Sequence, residues 1–266
     1  MKRFLLLLLC LSLVLVISSG CSKDDEPEPE DNDEGYELAD DQVDWDKVTL
    51  KQYEAPKSGD TIAVLHTSLG DITVRFFPEE APLAVENFLA HAQDGYYDGV
   101  LFHRVMYEFM IQSGDPLTKD ESVSENRYGK GGESIWSGGF SDEFSPNLYN
   151  FRGALSMANT GAANSNGSQF FIVQATTISD KMYSDMLDPE VWWFNEDIAN
   201  KYQSEGGAPW LDRHHTVFGH VIEGMDVVDS IAAVPVKDPD NADQNLRNYT
   251  PVDPVVIRSI EVKTYQ

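Results

Sequence analysis

Phe102 to Asp115 reads Phe-His-Arg-Val-Met-Tyr-Glu-Phe-Met-Ile-Gln-Ser-Gly-Asp, which sets a cation, Arg104, and an amide, Gln112, among largely apolar residues. Period two recurs here, so Leu101, His103 and Val105 would face one side of a strand and Phe102 and Arg104 the other. A guanidinium keeps its charge, so a half-buried one needs either a carboxylate partner or a substrate to which it can donate. This stretch alone leaves both readings open.

A second stretch, Ala154 to Val173, reads Ala-Leu-Ser-Met-Ala-Asn-Thr-Gly-Ala-Ala-Asn-Ser-Asn-Gly-Ser-Gln-Phe-Phe-Ile-Val, and Trp210-Leu211-Asp212 and His214 to Gly219 follow downstream. Together these motifs resemble the cyclophilins, the proline isomerase family inhibited by cyclosporin, from about Thr61 to Val262 with one insertion. The resemblance implies an all-β fold, a closed eight-stranded antiparallel barrel capped by two helices, and peptidyl-prolyl cis-trans isomerase activity. Rotation about an X-Pro bond is opposed by amide resonance, with a barrier of about 18–20 kcal/mol for peptide bonds generally. Such a reaction requires no nucleophile, metal or cofactor. It needs a fixed donor that favours the twisted state, in which the proline nitrogen becomes more basic.

By the same resemblance Arg104 is the catalytic donor, Gln112 the amide that holds substrate and arginine, and Phe109 the third catalytic position. Met110, Phe171, Leu211 and His215 complete the apolar pocket for the proline ring. Asn159 grips the peptide through its backbone, and His103, Ala158, Gln169 and Trp210 match other groove positions. Trp210 also matches the indole that binds a cyclosporin-type inhibitor. The sequence departs from the family at Tyr107-Glu108, where Pro-Gly or Pro-Asn is usual, at Ser113, at Arg213-His214, and in a loop from Thr160 to Asn166 that is one residue longer. None of these removes a residue that the mechanism needs. A peptide-binding or holdase protein that kept the groove without depending on turnover is the alternative.

The elements that must position these side chains are mostly short strands. Thr61 to Thr67 and Asp71 to Phe77 read as a hairpin joined at Ser68-Leu69-Gly70. Pro82 and apolar Val85, Phe88, Leu89 and Ala92 at i, i+3, i+4, i+7 predict a helix ending at Gly95. Strands are expected at Leu101 to Val105, Phe109 to Gln112, Ala154 to Ala158, Gln169 to Val173, Val217 to Ile222 and Val255 to Val262, and a short helix around Met225 to Ile231. Barrel closure would remove their sticky edges. The insertion, about 176–208, predicts one helix: Asp188-Pro189 as cap and first turn, Val191, Phe194, Ile198 and Tyr202 at near-helical spacing, and Gly206-Gly207 as stop. Trp192 and Trp193 would lie on different parts of it.

The 266 residues contain 41% apolar and 11% aromatic side chains, enough for one folded domain with extras. A formal net charge of -26 argues against nucleic acid as a partner and against membrane binding through basic patches. His214 and His215 are adjacent and on a strand would face opposite ways, so no metal site is expected. Residues 1–21 read as an export signal, Lys2 and Arg3 before the apolar run Phe4 to Ile17. Its end, Ser18-Ser19-Gly20-Cys21, is similar to the lipobox of bacterial lipoproteins, making Cys21 the lipidation site. The only other cysteine, Cys10, lies within the signal. Residues 22–60 form the expected acidic tether, and residues 61–266 the cyclophilin-like domain. Ser-Lys-Asp-Asp-Glu after Cys21 is similar to signals that send lipoproteins of the Bacteroidetes to the outer face of the outer membrane. The expectation is a monomer in the cell envelope, lipid-anchored to the outer membrane on its periplasmic or exposed side, with proline-containing segments of unfolded or exported proteins as partners.

Overall fold

Thr61–Thr67 (β1) and Gly70–Phe76 (β2) form the expected hairpin, in a computed structural model that describes residues 43–188, 191, 194–238 and 246–266. The Thr67 hydroxyl closes the turn by donating to the Gly70 carbonyl at 2.6 Å and accepting the Leu69 N–H at 3.1 Å. Glycine is needed there: Gly70 has φ +139°, and a Cβ would meet the Val227 side chain at 2.8 Å.

Six further strands are Arg104–Met106 (β3), Met110–Ser113 (β4), Ala154–Met157 (β5), Phe170–Val173 (β6), Val217–Glu223 (β7) and Ile257–Thr264 (β8). They complete one eight-stranded antiparallel sheet in the order β3-β4-β6-β5-β7-β2-β1-β8. Leu65, Ile72, Phe102, Ile111, Leu155, Phe170, Phe218 and Ile257 fill its inner face. The expected closed ladder is not formed in full. Between the edge strands β3 and β8 the pairing consists of one bridge, Leu101 to Val256, flanked by hydrogen bonds from Phe102 N–H to Val255 O at 2.9 Å and from Ile257 N–H to Val100 O at 2.8 Å. Pro251 and Pro254, just before β8, have no N–H to extend that seam.

Two helices cover the sheet. Pro82–Gln93 (α1) buries Ala84, Val85, Phe88 and Ala92. Its N-cap, Ala81, offers no side-chain acceptor, and the Glu143 carboxylate takes the N–H groups of Leu83 and Ala84 instead, both at 3.0 Å. Met225–Ala232, which becomes α4 in chain order, buries Val228, Ile231 and Ala232.

The insertion differs from expectation. It holds two helices, Asp180–Met186 (α2) and Glu196–Glu205 (α3), capped by Ser179 and Asn195, whose side chains accept the N–H groups of Met182 and Ile198. Asp188 precedes a proline, which disfavours helical backbone there, and Asn195 supplies a better start. Val191 therefore sits in a turn and Phe194 ahead of α3, while Ile198 and Tyr202 are buried as their spacing predicts. Pro189, Trp192 and Trp193 lie outside the described residues. Tyr149, Phe151, Met186, Ile198, Ala199 and Tyr202 make a second core, with Trp45 and Leu50 packed on it. The folded domain thus begins earlier than Thr61. Gln52, only 4% exposed, binds the Tyr149 backbone in both directions at 2.8 Å, a docking that no local pattern around residue 52 encodes. Cys21, the export signal and residues 22–42 of the tether lie outside the described residues.

His103, just before β3, is 1% exposed, and its carbonyl accepts the Thr250 hydroxyl at 2.9 Å. Burial lowers its imidazole from 6.5 to about 4, Arg104 adding to the effect and Asp115 opposing it. The unfolded chain takes up a proton near pH 6.5 that the folded state refuses until about 4, so the fold loses stability as pH falls through that window. Urea unfolding of wild type and His103→Gln at about pH 7 and about pH 4.5 should show the wild type losing more stability. An equal loss in both would contradict an enclosed, neutral ring.

Candidate active site

Strand register assembles the site. Arg104 pairs with Gln112 across β3 and β4, and Gln112 pairs with Phe171 across β4 and β6, so the three side chains stand in a row on one face of the sheet. Met106, Phe109, Met110, Phe171, Ala158 and Leu211 share the apolar cluster on that face. Phe102 does not join them. It packs with Val105 in the main core, because β3 begins only at Arg104 and the two-residue period does not extend back through His103.

The open question about Arg104 resolves against an acid. Among the described residues no carboxylate forms an ion pair with it; its Nη1 donates to Gln112 Oε1 at 3.3 Å, and its buried Nε has no partner. The guanidinium lies over the Phe109 ring, 5.7 Å from the centroid. Burial lowers its pKa from the ordinary arginine value, and Tyr249 opposes the effect. Gln112 is fixed in turn: its Nε2 donates to Gln169 Oε1 at 3.0 Å, and Gln169 Nε2 donates to the Gly131 carbonyl at 2.7 Å.

Two aromatic contacts shape the apolar end. Phe109 and Trp210 approach to 5.5 Å between centroids, and Phe171 meets His215 edge-on at 5.3 Å. His215 Nδ1 lies 3.0 Å from the Met157 carbonyl, which makes it the protonated nitrogen and leaves Nε2 as an acceptor. Burial lowers its pKa, favouring the neutral ring. Trp210 remains 38% exposed at the rim. The Asn159 side chain is occupied with Asp142 and the His214 carbonyl, so only its backbone is available to a ligand. Gln112, Gly131, Ala158, Asn159 and Gln169 line a cavity of about 170 Å³ beside the row.

Of the residues expected in the site, His103 is buried ahead of β3, outside the row that Arg104 begins, and Cys21 lies outside the described residues. A larger cavity of about 380 Å³, beside α1 and β2, holds none of the site residues; its Arg75 already donates to the Glu54 carbonyl and lies 3.8 Å from Asp60. Sequence reasoning gave no role to Glu108 or Asp212. Glu108 occupies a left-handed backbone, φ +56°, and its carboxylate accepts the N–H and hydroxyl of Thr176 at 2.9 Å. The signal was present: a bulky acid stands where the family's turn usually has glycine or asparagine.

Comparison with known proteins agrees with this geometry. The family model "Cyclophilin type peptidyl-prolyl cis-trans isomerase/CLD" matches residues 62–262. A Staphylococcus aureus (strain USA300) protein, named provisionally as a peptidyl-prolyl cis-trans isomerase, is 45% identical over 207 residues, 78% of this chain and 94% of its own length. A similarly named Staphylococcus haemolyticus protein is 47% identical over 199 residues, covering 75% and 89%. A crystal structure of a Cryptosporidium parvum cyclophilin type peptidyl-prolyl cis-trans isomerase superposes with TM-score 0.57 at 28% identity, over 78% of this chain and 99% of that one. A second, in the presence of the dipeptide Ala-Pro, gives TM-score 0.56 at 29% identity over 77% and 99%. With strand register, side-chain row and family model in agreement over the same residues, the chain belongs to the cyclophilin-type peptidyl-prolyl cis-trans isomerases.

Proposed function

We propose that this isomerase acts through Arg104 on X-Pro bonds of exported or envelope proteins. The observation that carries the role of Arg104 is a half-buried guanidinium with no carboxylate partner among the described residues, held by Gln112 beside an apolar pocket. The proline ring sits among Phe109, Met110, Phe171, Leu211 and His215, and the Asn159 backbone and the surfaces of Ala158 and Gln169 hold the flanking chain. As the bond twists, conjugation is lost and the proline nitrogen gains basicity. Arg104 then donates to that nitrogen. The planar ground state offers no such acceptor, so the hydrogen bond stabilises the transition state selectively. Gln112 keeps the guanidinium in place, and the apolar walls exclude competing water. The Ala-Pro dipeptide of the C. parvum structure supports proline-containing peptides as the ligand class.

Removing a charged donor aimed at the transition state costs about 2.7–4 kcal/mol, roughly a hundredfold or more. Arg104→Ala, folded by circular dichroism, should lose that much turnover on a short X-Pro peptide. Retention of most activity would overturn the role of Arg104 and favour a binding protein that does not depend on turnover.

The envelope location rests on Cys21 and the acidic run behind it. The mature protein is a lipid-anchored monomer, and Cys21→Ser should move it from the membrane fraction to the soluble one. Unchanged fractionation, or a mature N-terminus elsewhere, would end that assignment.

Trp210 presents an indole N–H, a donor only, at the rim of the pocket. Cyclosporin should inhibit the enzyme, and Trp210→Ala should weaken the inhibitor more than the substrate. Insensitivity of the wild type, or unchanged inhibition of the variant, would remove Trp210 from the ligand-binding set.

A further inference from the structure

The wall that carries Trp210, Leu211 and His215 is a single turn with little local support. Pro209–Leu211 forms one 3-10 turn, and Asp212, His214 and His215 fold back on it through N–H groups donated to Pro209 O at 3.2 Å and to Leu211 O at 3.1 and 3.0 Å. Arg213 adopts φ +59°. A turn of this kind has several conformations of similar energy, so something outside it must select one.

Asn150 and Tyr202 make that selection through the Asp212 carboxylate, 6% exposed at the centre of the turn. Its Oδ1 accepts the backbone N–H and side-chain amide of Asn150 at 2.6 and 2.8 Å, and Asn150 accepts the Ser156 hydroxyl of β5 at 2.8 Å. Its Oδ2 accepts the hydroxyl of Tyr202 at 2.5 Å. Tyr202 belongs to α3 of the insertion, is fully buried, and packs at a tilt against Phe151, with ring centroids 4.4 Å apart. The chain leaves α3 through Gly206 and Gly207, with φ +81° and +136°. A Cβ on Gly207 would stand 2.6 Å from both the Asn150 carbonyl and the Tyr202 ring. The end of α3, Asn150 and the pocket wall therefore meet in one junction with no spare room.

The insertion's other root meets the opposite wall. Thr176 donates twice to Glu108, and Phe109, the next residue, accepts the N–H groups of Gln174 and Ala175 through its carbonyl at 2.8 and 3.2 Å. The two roots thus hold the segments before Phe109 and around Leu211, the walls between which the proline ring is assigned.

We propose that the insertion is a brace for the proline pocket, with Tyr202 as a positioning residue whose hydroxyl on Asp212 sets Leu211 and His215 against Phe171. This rests on the pocket assigned above. A brace acts on substrate geometry without touching the reacting atoms, so its loss weakens binding before it slows the bond rotation. Plain core packing would need only the ring of Tyr202.

Tyr202→Phe separates the two, since it keeps the ring and removes one donor to a buried carboxylate. For an X-Pro peptide, KM should rise severalfold with kcat nearly unchanged. The His215 imidazole and Trp210 indole resonances should shift while those of β1 and β8 stay put. Asp212→Asn, whose amide can still accept from Asn150 and donate to Tyr202, should restore a near wild-type KM in the presence of the tyrosine. Glu108→Gly tests the other root independently: glycine accepts φ +56° without strain, and only the clamp on Thr176 is lost. It too should raise KM with kcat retained. Arg104→Ala, assayed alongside, reports on the pocket assignment itself. Wild-type kinetics and resonances in folded Tyr202→Phe, or in Glu108→Gly if the first does not fold, would overturn the brace while an inactive Arg104→Ala left the pocket standing.

Discussion

The site depends on a half-buried guanidinium, that of Arg104, which has no countercharge among the described residues. Removing a charge from water is costly, and a nearby carboxylate would be the usual remedy. Here the neighbours are an amide at 3.3 Å and the face of Phe109, both neutral. They hold Arg104 without satisfying it, and its buried Nε stays without a partner. A group held in that state gains most from an acceptor whose basicity rises during the reaction, which describes a proline nitrogen as its amide loses conjugation. An aspartate in place of Gln112 would settle the arginine and compete with the substrate.

Everything around the row serves to keep it in that condition. The ladder sets Arg104, Gln112 and Phe171 side by side on adjacent strands, so their spacing is the spacing of the sheet rather than of any loop. Gln169 relays the position of Gln112 to the loop that carries Gly129, Gly131 and Gly132. That loop is anchored by Asp115, fully buried, which accepts the N–H groups of Leu117, Gly129 and Gly131. The same carboxylate opposes the burial effect on neutral His103, so one acidic side chain supports both the loop and the lead-in to β3. Acids in this chain are thus used to hold backbone, at Asp115, Glu143, Glu108 and Asp212, and are kept away from Arg104.

What could be read in the sequence was whatever is local or carried by a run of motifs. The β1–β2 hairpin and α1 follow from alternation, turn residues and an i, i+3, i+4, i+7 stripe, and Arg104, Gln112 and Phe171 from motifs in the family's order. Long-range choices were not legible. The N–H groups of α1 find Glu143 some sixty positions later, which no cap rule near Ala81 could supply. The two-residue period placed Phe102 beside Arg104 because it assumed a strand from Leu101 that in fact starts three residues later. The insertion read as one helix because its apolar spacing continued across Phe194, where the cap at Asn195 restarts the chain. Gln52 and Trp45 looked like tether because a few apolar residues in an acidic run say nothing about a second core built by distant Tyr149, Phe151 and Tyr202. The Tyr202–Asp212 contact is ten positions apart in sequence but depends on two glycines folding the chain back, a geometry that spacing alone does not announce.

The central claim is that the planar, donor-rich guanidinium, and not merely a positive charge, drives the bond rotation. Arg104→Lys keeps the charge and loses the fork that both Gln112 and the proline nitrogen require. The direct measurement is the catalysed cis-trans exchange rate of a saturating X-Pro peptide, read from NMR exchange between its two isomers. The account predicts that the lysine enzyme still binds the peptide and loses most of the catalysed exchange. Exchange at the wild-type rate with lysine at position 104 would contradict it.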